Sequence, residues 1–518
     1  MRKIWMRLLA GCLAVLVNLT TTGAVWAASP QKSGEPKFQG VPLQCFVSLA
    51  DAGTSPEAKV AAYTEIAGKY LELQRPDQAK KVLEKSLITA NTITTPSLKS
   101  FALLDTAGRL TKALQPKLAI NALNDALESA KLLTDPVDRV FANIKIAQAF
   151  GEADKKDVAQ NLLAEATKAT PEIIDSYVRS RAFAAIANVY TEIGDDFNSE
   201  ASISAATDLL PMIEDPNIKA RARVEITGSY AQAGNHAKAI ASLNAVFQEF
   251  DAMRDNAIAS AKEAAKEAEK NAKTAKKSAP KLATKSLKND SPNNSLKQEK
   301  ATPDPKAVEQ SAIANAELLK TRSLFLVASQ YLVSKQYDKA LEVINNLDPN
   351  LVEKSVGIAN VAIAYAKDKK NDEAIKLFEQ SSQALSTVAP SIDIFTLLVE
   401  IGRQYQNMKS TDLAAQAWEQ SLGIAKNLTQ PVDRLFALNI IASTYGEFGL
   451  TDKVEPILQE SLAIAKTAPD PNIRSRAYSD ISSTYWAIGQ RDKAKEIAQT
   501  IENPTEKAQL EKLFACAT

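Results

Sequence analysis

Apolar residues recur along this chain at helical spacing, and the pattern itself repeats. Tyr70, Leu110, Phe150, Tyr190 and Tyr230 stand 40 residues apart; Tyr331, Tyr365, Tyr405, Tyr445 and Tyr485 follow at intervals of 34 and then 40. Four residues before nine of these ten anchors lies Ile or Val (Ile66, Ile146, Val327, Ile481 among them), with Thr106 as the exception. Three before is a small residue, from Ala67 to Ser482; nine after is Ala in all but two repeats, which carry Ser199 and Val454. Thirteen after is usually large and apolar, as in Leu83, Phe378 and Trp418. Offsets of −7, −4, −3 and 0 lie on one face of a helix, and +9 and +13 on one face of a second. Gly194, Gly234, Gly449 and Gly489, four after their anchors, mark the end of the first helix. Fourteen before six anchors stands proline (Pro56, Pro96, Pro136, Pro216, Pro431, Pro471), five of them preceded by Ser, Thr or Asp. An oxygen-bearing cap followed by proline is the chemistry of a helix start. Each repeat is therefore predicted to be an antiparallel helix pair. The chain should be all-α, with about ten repeats in two arrays, 56–250 and 308–502, and a capping helix over 503–518.

The small–x–x–Tyr pattern, with Ala nine residues on and a large apolar residue thirteen on, resembles the tetratricopeptide repeat (TPR). Tyr230, Gly234, Ala239 and Leu243 carry the likeness closely, as do Tyr485, Gly489 and Ala494. It covers roughly 56–250 and 317–502, and most repeats exceed the family's 34-residue length by six. The resemblance implies a right-handed solenoid whose first helices line a concave surface that binds a protein or peptide. The offset nine before the anchor tends to face that groove in the family. Here it carries Arg181, Arg221, Arg322 and Arg476. Asn188, Arg403 and Trp486 complete the candidate partner-binding set. The Asn and Lys pattern of a clamp for a terminal carboxylate is not visible. A second cationic row, eleven before the anchor, runs from Lys59, Lys99, Arg139 and Arg179 to Lys320, Arg434 and Arg474. A cation there opposes its own helix dipole but neighbours the carbonyl end of the preceding repeat's second helix, so it is expected to tie repeats together.

Composition adds compartment and exclusions. Met1–Ala27, with Arg2, Lys3 and Arg7 before a short apolar run and Val25-Trp26-Ala27 after it, is expected to be a signal peptide, followed by an extension over 28–55. The protein is accordingly expected to be exported, to the periplasm, a lumen or outside the cell, with no integral membrane segment after cleavage. The remaining chain holds 59 basic against 61 acidic residues, a net of −2, so no nucleic-acid partner is expected. Residues 251–307 break the repeat: an Ala/Lys/Glu helix, then a Lys- and Pro-rich stretch from 281 that is expected to be a disordered, basic linker. Only 17 glycines and one histidine, His236, occur, and no phosphate loop, nucleophile elbow or Cys/His metal spacing is present. No enzyme, cofactor or metal is therefore expected, and His236 is placed in a surface turn. After leader cleavage only Cys45 and Cys516 remain; at opposite ends of a long stack, they are expected to be free thiols. The reading is an exported scaffold that binds a protein or peptide. Its rival is a self-associating structural protein of the cell envelope.

Overall fold

The computed structural model describes residues 40–278, 305–348, 352–385 and 389–517. The expected leader and the linker stretch 281–304 lie outside them. Among the described residues every regular element is a helix. Helix α1 (Leu43–Asp51) precedes ten helix pairs: α2 (Pro56–Glu72) and α3 (Pro76–Asn91), α4 (Pro96–Lys112) and α5 (Pro116–Ala130), α6 (Pro136–Glu152) and α7 (Lys156–Ala169), α8 (Ser176–Ile193) and α9 (Asp196–Asp208), α10 (Pro216–Gln232) and α11 (His236–Ser278). Then come α12 (Pro305–Val333) and α13 (Tyr337–Asn345), α14 (Val352–Lys367) and α15 (Asn371–Leu385), α16 (Ile392–Asn407) and α17 (Thr411–Asn427), α18 (Pro431–Glu447) and α19 (Val454–Thr467), α20 (Pro471–Ala487) and α21 (Arg491–Gln499). Helix α22 (Pro504–Cys516) ends the described chain.

One backbone device makes every hairpin. The fourth residue after each anchor has positive φ: glycine in four repeats, but Gln74, Leu114, Asp154, Lys335, Lys369 and Lys409 in the other six. The next residue then donates its N–H back to the anchor carbonyl, as from Arg75 to Tyr70 at 2.8 Å and from Gln490 to Tyr485 at 2.9 Å. That bond satisfies a carbonyl the helix end would otherwise leave open. The anchors and their −4 partners fill the space between paired helices: Tyr331, Tyr445, Tyr485, Ile186, Ile401 and Ile481 are fully buried. The alanines at +9 are buried as well, which lets the second helix approach closely. First helices start on the expected oxygen caps where Ser55, Asp135, Asp215 and Asp470 accept first-turn N–H groups. Asp175 and Ser391 do the same for α8 and α16, which lack the proline.

The chain divides into two compact bodies that cut across the two runs of repeats. The first holds the chain up to Ile174, Ala185–Ser199 and everything from Asn350 on; the second holds Asp175–Ala184 and Glu200–Pro349. In the second body α11 runs 43 residues and lies against α12. Ala220, Val224, Val246 and Phe250 form a core there that Met253, Leu319 and Leu326 extend, and Lys320 reaches Asp251 at 2.8 Å.

In the first body the beginning and end of the described chain meet. Helix α1 packs on α2 and on α22, and Cys45 is disulfide-bonded to Cys516 with Cα atoms 5.7 Å apart. The free thiols expected from the sequence are thus corrected to a bridge. Stack length along the repeats says nothing about the distance between the ends once helices from both ends share one compact body.

Candidate partner-binding face

The first helices present a stripe at offsets −9, −5, −2 and +2, one step per helical turn. Neighbouring repeats are staggered along it: a residue at one offset meets the residue four positions further along in the next repeat. Gln148 thus reaches Glu192 at 3.0 Å, Arg403 reaches Glu447 at 3.9 Å, and Glu65 meets Arg109 at 3.9 Å. In the second body Arg181 Nε donates to Glu225 Oε2 at 3.0 Å.

This stagger sorts the candidate arginines. Arg181, Tyr177 and Glu225 form a cluster in which the Tyr177 hydroxyl donates to Glu225 Oε1 at 3.2 Å. The Tyr177 ring is flanked by two guanidiniums, Arg181 at 5.6 Å and Arg221 at 5.8 Å from its centroid. Burial raises the Tyr177 pKa, and the Glu225 charge raises it further, while Arg181 and Arg221 oppose that rise. Arg221 has no acid of its own because the position it should meet, the counterpart of Glu225, is Leu326. That leucine packs into the α10–α11 core, close above Gly228, where a Cβ would come within 2.8 Å of it. Arg221 and Arg322 are both exposed, and among the described residues neither has a carboxylate within ion-pair distance. Successive first helices α10 and α12 therefore each offer an exposed guanidinium on the same row, with the half-buried Tyr177 ring beside that of Arg221. Such a row suits carboxylates, which a guanidinium can bind with two parallel hydrogen bonds.

The remaining candidates have other roles, all within the first body. Trp486 is 1% exposed, stacked on Phe514 of α22 with centroids 4.1 Å apart. It is core, and its assignment to a binding face is corrected. Arg476 lies 3.4 Å from the buried carboxylate of Asp480, and Arg403 pairs with the buried Glu447 and reaches Thr444 Oγ1. Both serve buried acids rather than an open face. Asn188 is half-buried on α8. Tyr177, Glu225 and Leu326 were not singled out from the sequence. Tyr177 was the legible one, an aromatic residue in a row that elsewhere carries Ser, Asn, Glu or an aliphatic side chain.

The second cationic row joins helices. Lys99 donates to the Asn91 carbonyl at 3.2 Å, and Arg474 to the carbonyls of Ala468 and Pro469 at 2.7 and 3.1 Å, where the preceding second helix ends. Arg139 pairs with Glu172 and Arg434 with Glu460, both beyond the turn of their own repeat. His236 opens α11 with its Nδ1 2.7 Å from the Tyr331 hydroxyl and its Nε2 3.4 Å from Glu342. It is a packed joint between repeats rather than a free turn residue, because α12 lies directly beside α11. Among the described residues no His, Cys, Asp and Glu side chains converge as a metal site, and no helix is long and apolar enough to cross a membrane.

These helix pairs, turns and staggered first helices define the fold as a TPR-like solenoid of antiparallel hairpins. No family model matches the chain, and no curated protein matches it. Among solved structures it is similar to Ton1535 from Thermococcus onnurineus NA1, at 17% identity over 81% of this chain and 98% of that one, with a TM-score of 0.30. It is also similar to a putative kinesin light chain with nearly identical TPR-like repeats from Podosopora anserina (21% identity, 37% and 95% covered, TM-score 0.29). A third is a Rap protein complexed with competence and sporulation factor (13% identity, 88% and 99% covered, TM-score 0.23).

Proposed function

We propose that this protein is an exported, non-enzymatic scaffold that holds an acidic protein or peptide segment against the first helices α8, α10 and α12. The observation that carries the reading is the exposed, acid-free Arg221 beside Tyr177, with Arg322 continuing its row. Where Arg181 and Arg403 sit on the stripe, the stagger supplies each with an acid from the next repeat, Glu225 and Glu447. Here Leu326 takes the acid's place and leaves the positive charge facing outward. The export half of the reading draws on the leader-like Met1–Ala27 and on the Cys45–Cys516 bridge, since disulfides persist in oxidising compartments.

The test is Arg221→Glu combined with Arg322→Glu. Exposed charges contribute about 0–1 kcal/mol to folding, so circular dichroism and the melting midpoint should stay close to those of the parent. Capture of acidic partners from an envelope extract should fall at least tenfold, and parental capture should weaken as salt rises. A paired control, Arg139→Ala with Arg434→Ala, should lower melting and leave capture intact at temperatures below it. Equal capture by the Glu variant would reject this face.

A further inference from the structure

The two chain ends meet at a seam whose closure has two different chemical bases. One is covalent, the Cys45–Cys516 bridge between α1 and α22. The other is the packing beneath it: Leu43, Val47 and Ala50 of α1, Leu510 and Phe514 of α22, and Phe514 on Trp486. Directly under α22 that packing encloses an unbalanced set of charges. Arg476 and Asp480 on α20 face Glu506 in the first turn of α22, so a single guanidinium serves one buried and one half-buried carboxylate. Asp480 Oδ1 and Glu506 Oε1 are buried without a hydrogen-bond partner.

We propose that this seam is a conditional latch: reduction of Cys45–Cys516 frees the chain ends at neutral and alkaline pH, whereas protonation of the acids beneath α22 keeps them together when the bond is absent. Opening the bond takes two electrons and two protons from a reductant such as a dithiol, which leaves as its own disulfide, and yields two thiols.

The sign of the pH effect follows from the charges. Burial pushes Asp480 up to about 6 and Glu506 above its ordinary range; in each case Arg476 opposes the rise, and Glu506 is raised further by the Asp480 charge. A docked α22 therefore holds protons that an undocked one releases. The non-covalent closure is at its strongest below the ordinary carboxylate range, weakens as pH rises towards about 6, and stays weak above it.

The experiment uses the full chain. Hydrogen exchange at the amides of α1 and α22, corrected for intrinsic rates, is compared between the oxidised protein and Cys45→Ser/Cys516→Ser at pH 4.5 and 7.5. At pH 7.5 the double variant should exchange at least tenfold faster in these two helices, with the middle repeats unchanged. At pH 4.5 the difference should shrink to within about threefold. Adding Asp480→Asn and Glu506→Gln should restore protection at pH 7.5. Protection equal to the oxidised protein at both pH values would overturn the latch, as would loss that is the same at both or that spreads to every repeat. If the Ser variant does not fold, reduction of the folded parent with a phosphine gives the same readout.

Discussion

Leu114 adopts φ 57° and Lys369 φ 62°, in the left-handed region where glycine sits in the equivalent turns at Gly194 and Gly489. A side chain there costs about 1–2 kcal/mol, partly offset by the extra freedom glycine has when unfolded. Leu114→Gly and Lys369→Gly should each raise stability by about 0.5–1 kcal/mol, seen as a higher thermal midpoint. Gly489→Ala should lower it by about 1 kcal/mol, since only the backbone angle and no neighbouring atom opposes the added methyl group. Another residue-scale exchange is visible in the eighth repeat. Where most repeats have Leu or Ile at +13 it has Trp418, and where most have Ala at −3 it has Gly402. A Cβ on Gly402 would come within 2.2 Å of the Trp418 ring nitrogen, so the large and the small residue belong to one fit. Both departures stand in the sequence; their direct contact becomes evident only when the two helices are placed.

At the scale of elements, the hairpins form as the anchors, caps and turn glycines predict, because that chemistry is local. The rows between first helices were less legible. Arginines at −9 look alike in sequence, yet Arg181 is paired and Arg221 is open because of what the next repeat places four positions further on, whereas Arg476 serves the buried Asp480 of its own helix. Buried acids make a measurable signature of this stripe. Burial pushes Glu447 on α18 up to about 7, against the opposing charges of Arg403 on α16 and Lys69 on α2, with Glu72 adding to the rise. The folded state thus holds a proton that the unfolded chain releases. Stability from this group is full below the ordinary glutamate range and is lost as pH climbs towards about 7. Glu447→Gln should flatten that slope: its thermal midpoint should exceed the parent's at pH 8 and match it at pH 4. A parent midpoint that rises between pH 4.5 and 7 through this residue would contradict the assignment.

For the molecule as a whole, the bridge between positions 45 and 516 closes nearly the full described chain into a loop. In the chain-entropy view, closing a loop of this length stabilises by on the order of 6 kcal/mol, an upper figure that native strain reduces. Limited trypsin digestion should cut first in the Lys-rich stretch 281–304, as its composition predicts. The nicked protein should then run as one species on a non-reducing gel and as two fragments once reduced. Two fragments without reductant would show that the bridge is absent. The nicked, oxidised protein should also stay helical, since each hairpin is held mainly by its neighbours.

The sequence by itself determined the helix pairs, their number, the proline-led helix starts and the glycine turns. Each depends on residues within one or two repeats, where spacing along the chain is close to spacing in space. Only the tertiary structure decided the Cys45–Cys516 bridge, the burial of Trp486 under Phe514, the pairing of α11 with α12 around His236, and the exposure of Arg221. These bring together residues about 30 to nearly 500 positions apart. Such meetings depend on which helices pack side by side, and no local pattern of apolar and polar residues encodes that.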